Sequence, residues 1–307
     1  MSVNLITTAG KNVVLNRAYK GTPDYLPPTK FKIGIDSSTP AVTDTDLDYA
    51  VPVEDGTTLD DGSNTMTGSD GGDNSTDNPT TYKIGGGNTD VTGQNLIAND
   101  TVVSKVWTIA DLDTAGNDAT AAQYIACWIY IKDTATYAKL KASGTCLEIR
   151  VGSGASDYYA IEYTKADLAV GWNWVTSNTT LLNALTETGT VAGDLDTFAI
   201  EIITEATGGG TEETFVAGDV VFDLLRQWEA TDLTQTFVTG YPTFDEVANT
   251  VTMRGFLGST EANGFSITST GLFNADSPDL LTDIDEFDEE SKSDTDEFSF
   301  IWTNSLS

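Results

Sequence analysis

Between residues 81 and 228 the chain is written in short apolar runs separated by turn residues: "QNLIA", "KVWTIA", "YIACWIYI", "CLEIRVG", "YYAIEYT", "GWNWVTS", "TFAIEIIT" and "DVVFDLLR". Within several runs apolar and polar positions alternate, and Gly, Asn and Asp stand between them. A period of two puts successive side chains on opposite faces of a strand, so this pattern predicts an antiparallel β-sandwich or jelly roll and not a helical or βαβ domain. "SNTTLLNALTET" is the one stretch here that predicts a helical insert.

The two ends of the chain read differently. Val13, Val14, Leu15 and Ala18 predict a short helix that "PDYLPP" terminates, and "TKFKIGI" follows as a strand. At the other end "TVTMRGFLG", "GFSITSTGLFNAD" and "DEFSFIWTNSL" read as strands. The acidic block "SPDLLTDIDEFDEESKSDTD" between the last two reads as a solvated loop. Neither end is long enough to close a core alone. Joining them into one split domain solves both shortages and places "KFKIGI" beside the C-terminal strands. The expectation is therefore all-β: a jelly roll (81–228) inserted into a second, smaller, mostly-β attachment domain built from 1–53 and 229–307. Residues 54–80, dense in Gly, Asp, Ser and Thr, form an acidic linker or loop, because little there offsets the entropy of ordering.

Composition narrows the chemistry. Among 307 residues, 47 are acidic and 15 basic, for a formal net charge of −32. Such a field repels nucleic acid and anionic membrane surfaces. Histidine is absent, which removes His-based general bases, Ser-His-Asp and Cys-His pairs, and His-liganded zinc. Carboxylate-only chemistry of the glycosidase kind survives, but no acid and base pair stands out, so the chain is expected not to be an enzyme. Cys127 alternates with Ile125, Ile129 and Ile131, whereas Cys146 shares a face with Glu148 and Arg150; that parity predicts free thiols facing opposite ways. No apolar run reaches membrane-span length, and "MSVNLITTAGKNVVLNRAYKG" lacks the apolar core of a signal peptide, so neither membrane insertion nor that route of secretion is expected.

The order "ACWIYIKD", "LEIRVGSGASDYYAIEYTKADLAVGWNWVTS", "VVFDLLRQW" resembles the concanavalin-like or carbohydrate-module-like jelly rolls over roughly 140 residues. The candidate glycan-stacking rings are Trp128, Tyr130, Tyr158, Tyr159, Trp172 and Trp174, since a flat ring covers the apolar face of a sugar while its edge stays wet. The competing role for each ring is sheet packing. Trp128 and Tyr130 share one face, as do Trp172 and Trp174. No cofactor is required; structural calcium is the one candidate ion. Asp223 on the last strand stands where the resemblance implies a calcium ligand. Asp44, Asp46 and Asp48 match the first three EF-hand positions but meet Tyr49 where glycine is needed, and Asp70, Asp73 and Asp77 show no register.

The ends carry a second resemblance. "KFKIGIDSSTPAVTDTDLDYAVPV", in which Asp36-Ser37-Ser38 replaces a glycine-rich turn, and the late hairpin from Asn263-Gly264 to Gly271-Leu272-Phe273-Asn274 look like pieces of structural proteins of tailed viruses. The resemblance implies a virion protein of a tailed phage or archaeal virus, in a tail, fibre, baseplate-associated or decoration role, assembled in the host cytoplasm. Its partners would be copies of itself, other virion proteins and a host-surface glycan. The alternative is a carbohydrate-binding module of a cell-surface or secreted protein.

Overall fold

Alternating side chains commit about half of the described residues to strands, and in the computed structural model only two α-helices, both short, interrupt them among those residues. The residues described are 3–35, 39–47, 49–53, 56–62, 64–69, 73–83, 92–99, 103–112, 119–177, 180–205, 213–292 and 295–305. In chain order the elements begin β1 (Val3–Ile6), α1 (Thr8–Tyr19), β2 (Pro28–Gly34) and β3 (Ala50–Val51). Next come β4 (Thr57–Asp60), β5 (Thr67–Gly68), β6 (Asn74–Asn78), β7 (Gly93–Ile97), β8 (Ser104–Ile109), β9 (Tyr124–Ile131), α2 (Thr134–Ala138), β10 (Thr145–Gly154), β11 (Asp157–Thr164), β12 (Gly171–Thr176), β13 (Thr186–Thr188), β14 (Thr197–Ile203) and β15 (Val220–Trp228). The chain closes with β16 (Gln235–Thr236), β17 (Thr243–Asp245), β18 (Thr250–Leu257), β19 (Ser266–Asn274), β20 (Leu281–Ser291) and β21 (Phe298–Ser305). The protein is all-β, with large antiparallel sheets consistent with a β-sandwich.

Two compact units result: Met1–Asp55 with Ala230–Ser307, and Gly56–Glu229. In the second, one ladder runs β12-β9-β15-β7-β6-β5-β8-β14-β10-β11-β13, with β4 also on β15. The ladder folds over its own core: Ile125, Cys127, Ile129 and Ile131 of β9 and Phe222 of β15 share one apolar cluster with Ile149 and Val151 of β10 and Phe198, Ile200 and Ile202 of β14. The Phe198 and Phe222 rings meet at 5.3 Å across it. Two layers therefore bury a common interior, as the alternation requires.

Four expectations need correction. The stretch 54–80 holds three strands, β4, β5 and β6, within the second unit. Its few apolar side chains, Leu59 and Met66, are buried, and Ser75 Oγ both accepts from Met66 N (2.6 Å) and donates to Met66 O (3.2 Å). Side-chain hydrogen bonding supplies what apolar area does not. Cys146 faces the same interior as Cys127, because a register shift between Thr145 and Leu147 turns both Cys146 and Leu147 inward. Both thiols are free and buried; burial pushes Cys146 up to about 11 and Cys127 higher still. The described residues of "SNTTLLNALTET" give a 3-10 turn at Leu182–Ala184 followed by β13.

In the first unit, β1-β20-β19-β2-β16 make one sheet with β3 on β2, so N-terminal and C-terminal strands interleave. A second sheet, β17-β18-β21, packs over its Phe31 side: Phe31 meets Trp302 at 5.6 Å and Phe300 at 6.0 Å, and Trp302 Nε1 donates to Thr270 Oγ1. The acidic block expected as a solvated loop is largely β20, paired on both sides, with Asp283 buried and hydrogen-bonded by Asn304 Nδ2 at 3.0 Å. Backbone pairing outweighs the charge there, and desolvation raises the Asp283 and Asp285 carboxyls above their ordinary range.

Candidate functional site

The six candidate rings do not meet in one place. The register Trp172↔Tyr130 and Trp174↔Trp128 puts four of them on the outer face of β12 and β9, opposite the core residues Cys127 and Ile129. Trp128 and Trp174, 4.8 Å apart, are buried there; Trp174 also stacks on Trp228 at 6.0 Å, and Lys83 Nζ lies 4.6 Å from the Trp128 ring centroid. These rings form a second apolar layer and cannot stack on a ligand. Tyr130 and Trp172, at 5.2 Å, stay half-buried beside them. Tyr159 sits opposite Val151 and packs against the core. Tyr158 points the other way, onto the outer face of the opposite layer.

That second face is built by cross-strand alignment. Directly opposed positions run Thr108, Ala199, Arg150, Ala160, Thr186 in one row and Val106, Glu201, Glu148, Glu162 in the next. A third row contains Thr197, Gly152, Tyr158 and Thr188. Small residues leave a smooth floor from which a few polar groups rise. Arg150 is held in place: Nε donates to Glu148 Oε1 (2.5 Å), Nη2 donates to Glu201 Oε2, and the guanidinium lies 4.7 Å from the Tyr158 ring centroid. Ser104 Oγ also donates to Glu201. The guanidinium keeps donors beyond those two bonds, and its side chain remains 19% exposed. Gly152 has no room for a side chain, since a Cβ would lie 2.0 Å from Asp157 O. Alternation already placed Glu148 and Arg150 together; that Glu201 and Tyr158 join them depends on strand order, which no local signal gives.

The metal candidates disperse. Asp44 accepts from Ala41 N in a turn, and Asp46 pairs with Lys32 Nζ at 2.9 Å. Asp73 accepts from Asn99 N and Asp77 from Gln94 Nε2; Asp48 and Asp70 lie outside the described residues. Asp223 is fully buried and its Oδ2 accepts from Lys83 N at 2.6 Å. Among the described residues no three thiolate or carboxylate groups stand close enough to hold a metal ion.

Asp60, also buried, accepts from Gly62 N at 2.7 Å and Asn64 Nδ2 at 2.5 Å. Burial outweighs these bonds and pushes it up to about 6. A raised carboxyl contributes stability below the ordinary carboxylate range and loses it as pH rises through about 6. Asp60→Asn is therefore expected to stabilise the protein above neutral pH, on the order of 2 kcal/mol, and to change little below about pH 4, where the carboxyl is protonated in both folded and unfolded chains. Urea denaturation on both sides of that window checks it; equal shifts at both pH values would contradict the linkage.

No protein-family model matches the chain, and no curated protein matches it. Among solved structures, one similar chain is a glycoside hydrolase family 43 arabinoxylan arabinofuranohydrolase from Bacillus subtilis, in complex with cellotetraose: 11% identity, TM-score 0.24. The alignment covers 48% of this chain and 24% of the enzyme. At that level the likeness assigns no activity to the present chain.

Proposed function

We propose that the chain is a non-enzymatic structural and recognition protein of a tailed-virus particle. The end unit joins it to copies of itself and other particle proteins, and the sandwich takes a neutral host glycan on the outer face of β8, β14, β10 and β11. The virion setting rests on the segments of the two ends that look like tail and fibre proteins. The observation that carries glycan recognition is Tyr158 over Arg150 on a floor of Ala199, Ala160 and Gly152. A ring edge and an immobilised guanidinium offer an apolar contact and hydrogen-bond donors at little ordering entropy. Both Glu148 and Glu201 hold the same guanidinium, an arrangement for binding and not for proton transfer. A neutral ligand is specified because a net charge of −32 repels anionic sugars.

Neutral oligosaccharide arrays followed by calorimetry test this on the whole chain. Tyr158→Ala is expected to weaken binding about tenfold, ~1.4 kcal/mol, without unfolding the sandwich. Full binding by Tyr158→Ala together with loss in Trp172→Ala would move the site to the opposite outer face; no binding to any neutral glycan would sink the recognition role. Mass spectrometry of purified particles tests the virion setting separately.

A further inference from the structure

Resting on the assembly role proposed for the end unit, we infer that β21 is the edge through which two copies of this chain pair. The strand has eight residues and is the longest at a sheet edge among the described residues, bonded to β18 alone. Its ladder with β18 runs from Thr250↔Ser305 to Leu257↔Phe298 without a shift. Monomeric β-proteins protect such edges with charge, proline or bulges. "FSFIWTNS" contains neither charge nor proline, and its ladder contains no bulge.

Other edges of the protein show the contrast. β20 beyond its pairing with β1 carries Asp288, Glu289 and Glu290. β12 is closed at Thr176 by Tyr163, whose hydroxyl accepts from Thr176 N at 3.0 Å and donates to Thr176 O at 3.3 Å. Among the described residues nothing comparable guards β21, and its outer face adds apolar surface: Ile301 is 63% exposed, beside Phe256 at 37%.

Charge selects the occupant. Two copies at −32 each repel over most of their surface, so the contact with least repulsion is an uncharged strand meeting itself. A two-fold axis normal to the sheet through Ile301 sets Ile301 against its own counterpart and Ser299 against Thr303 of the second copy. This keeps the buried Trp302 side of both copies on one face and merges two three-stranded sheets into one of six. The patch is at the small end of stable interfaces, so the dimer is expected to depend on concentration.

Sedimentation of the whole chain from low to high micromolar concentration is expected to show monomer giving way to dimer. Ile301→Glu should abolish the dimer at unchanged circular dichroism and melting temperature, as should Ile301→Lys, while an equal mixture of the two should restore a heterodimer. Thr303→Glu, also exposed, provides a second variant should either Ile301 change disturb folding. A wild-type chain that stays monomeric, a dimer indifferent to Ile301→Glu and Thr303→Glu, or one lost instead in Phe244→Glu at the opposite edge would overturn the inference. Glycan binding is read independently, so either reading can fail while the other stands.

Discussion

Trp107→Ala is expected to destabilise the sandwich by about 3–5 kcal/mol, the range for emptying a fully buried indole site. Trp107 is completely buried in β8, opposite Ile200 on one side and Gly68 on the other. Its Nε1 donates to Asn74 O and Ile97 O, both at 3.2 Å, on β6 and β7. It therefore ties together the strands where the ladder passes from one layer to the other. Removing it leaves a cavity at the turn of the sheet and strips a donor from two backbone carbonyls. Trp107→Phe keeps most of the volume and loses only the donor, with an expected loss of about 1–2 kcal/mol. Chemical denaturation of both variants separates the contributions. A loss below about 1 kcal/mol for the alanine variant would mean that the passage between layers is held elsewhere.

Gly10→Ala is expected to destabilise the end unit by about 3 kcal/mol or more, opposite in sign to the usual gain of about 1 kcal/mol for this change inside a helix. The reason is contact between backbones. Thr7 caps α1, its hydroxyl accepting from Gly10 N at 3.0 Å and donating to Leu281 O at 2.5 Å, and its N–H donates to Thr282 O at 3.0 Å. A Cβ on Gly10 would lie 2.0 Å from Thr282 O, so the helix can rest on β20 only if that side chain is absent. The strand cannot yield without breaking its ladders to β1 and β19. Gly21→Ala, with open space around the added carbon, is the neutral control. Thermal melts, with proteolysis at the amino terminus, measure the effect; a stabilised Gly10→Ala protein would show that α1 does not seat there.

The legible part of the fold was the part with alternation. All eight apolar runs between 81 and 228 became strands, β7 to β12, β14 and β15, as did "TKFKIGI" and the three C-terminal runs. Where the sequence misled, a tertiary partner changed the balance. Strands β4 to β6 have little apolar area but pair with strands that do. β20 carries acidic residues through its length, yet lies between β1 and β19. The bulge after Thr145 reversed the facing of Cys146, because a single extra residue inverts a period-two reading. For the site, Tyr158 was among the rings chosen from sequence, and Glu148 and Arg150 were visible on one strand face, but Glu201, distant along the chain, was not.

Taken alone, the sequence determined the all-β class, the strands of the sandwich, the lack of imidazole chemistry and an acidic surface. These follow from side-chain periodicity and composition, which are local or additive properties. Only the tertiary structure decided which of six aromatic rings are buried, that one guanidinium bridges Glu148 and Glu201 beneath Tyr158, and that among the described residues β21 pairs with β18 alone. Each depends on which strand lies beside which. That order is set by the sum of many non-local pairings, so no single stretch of residues records it.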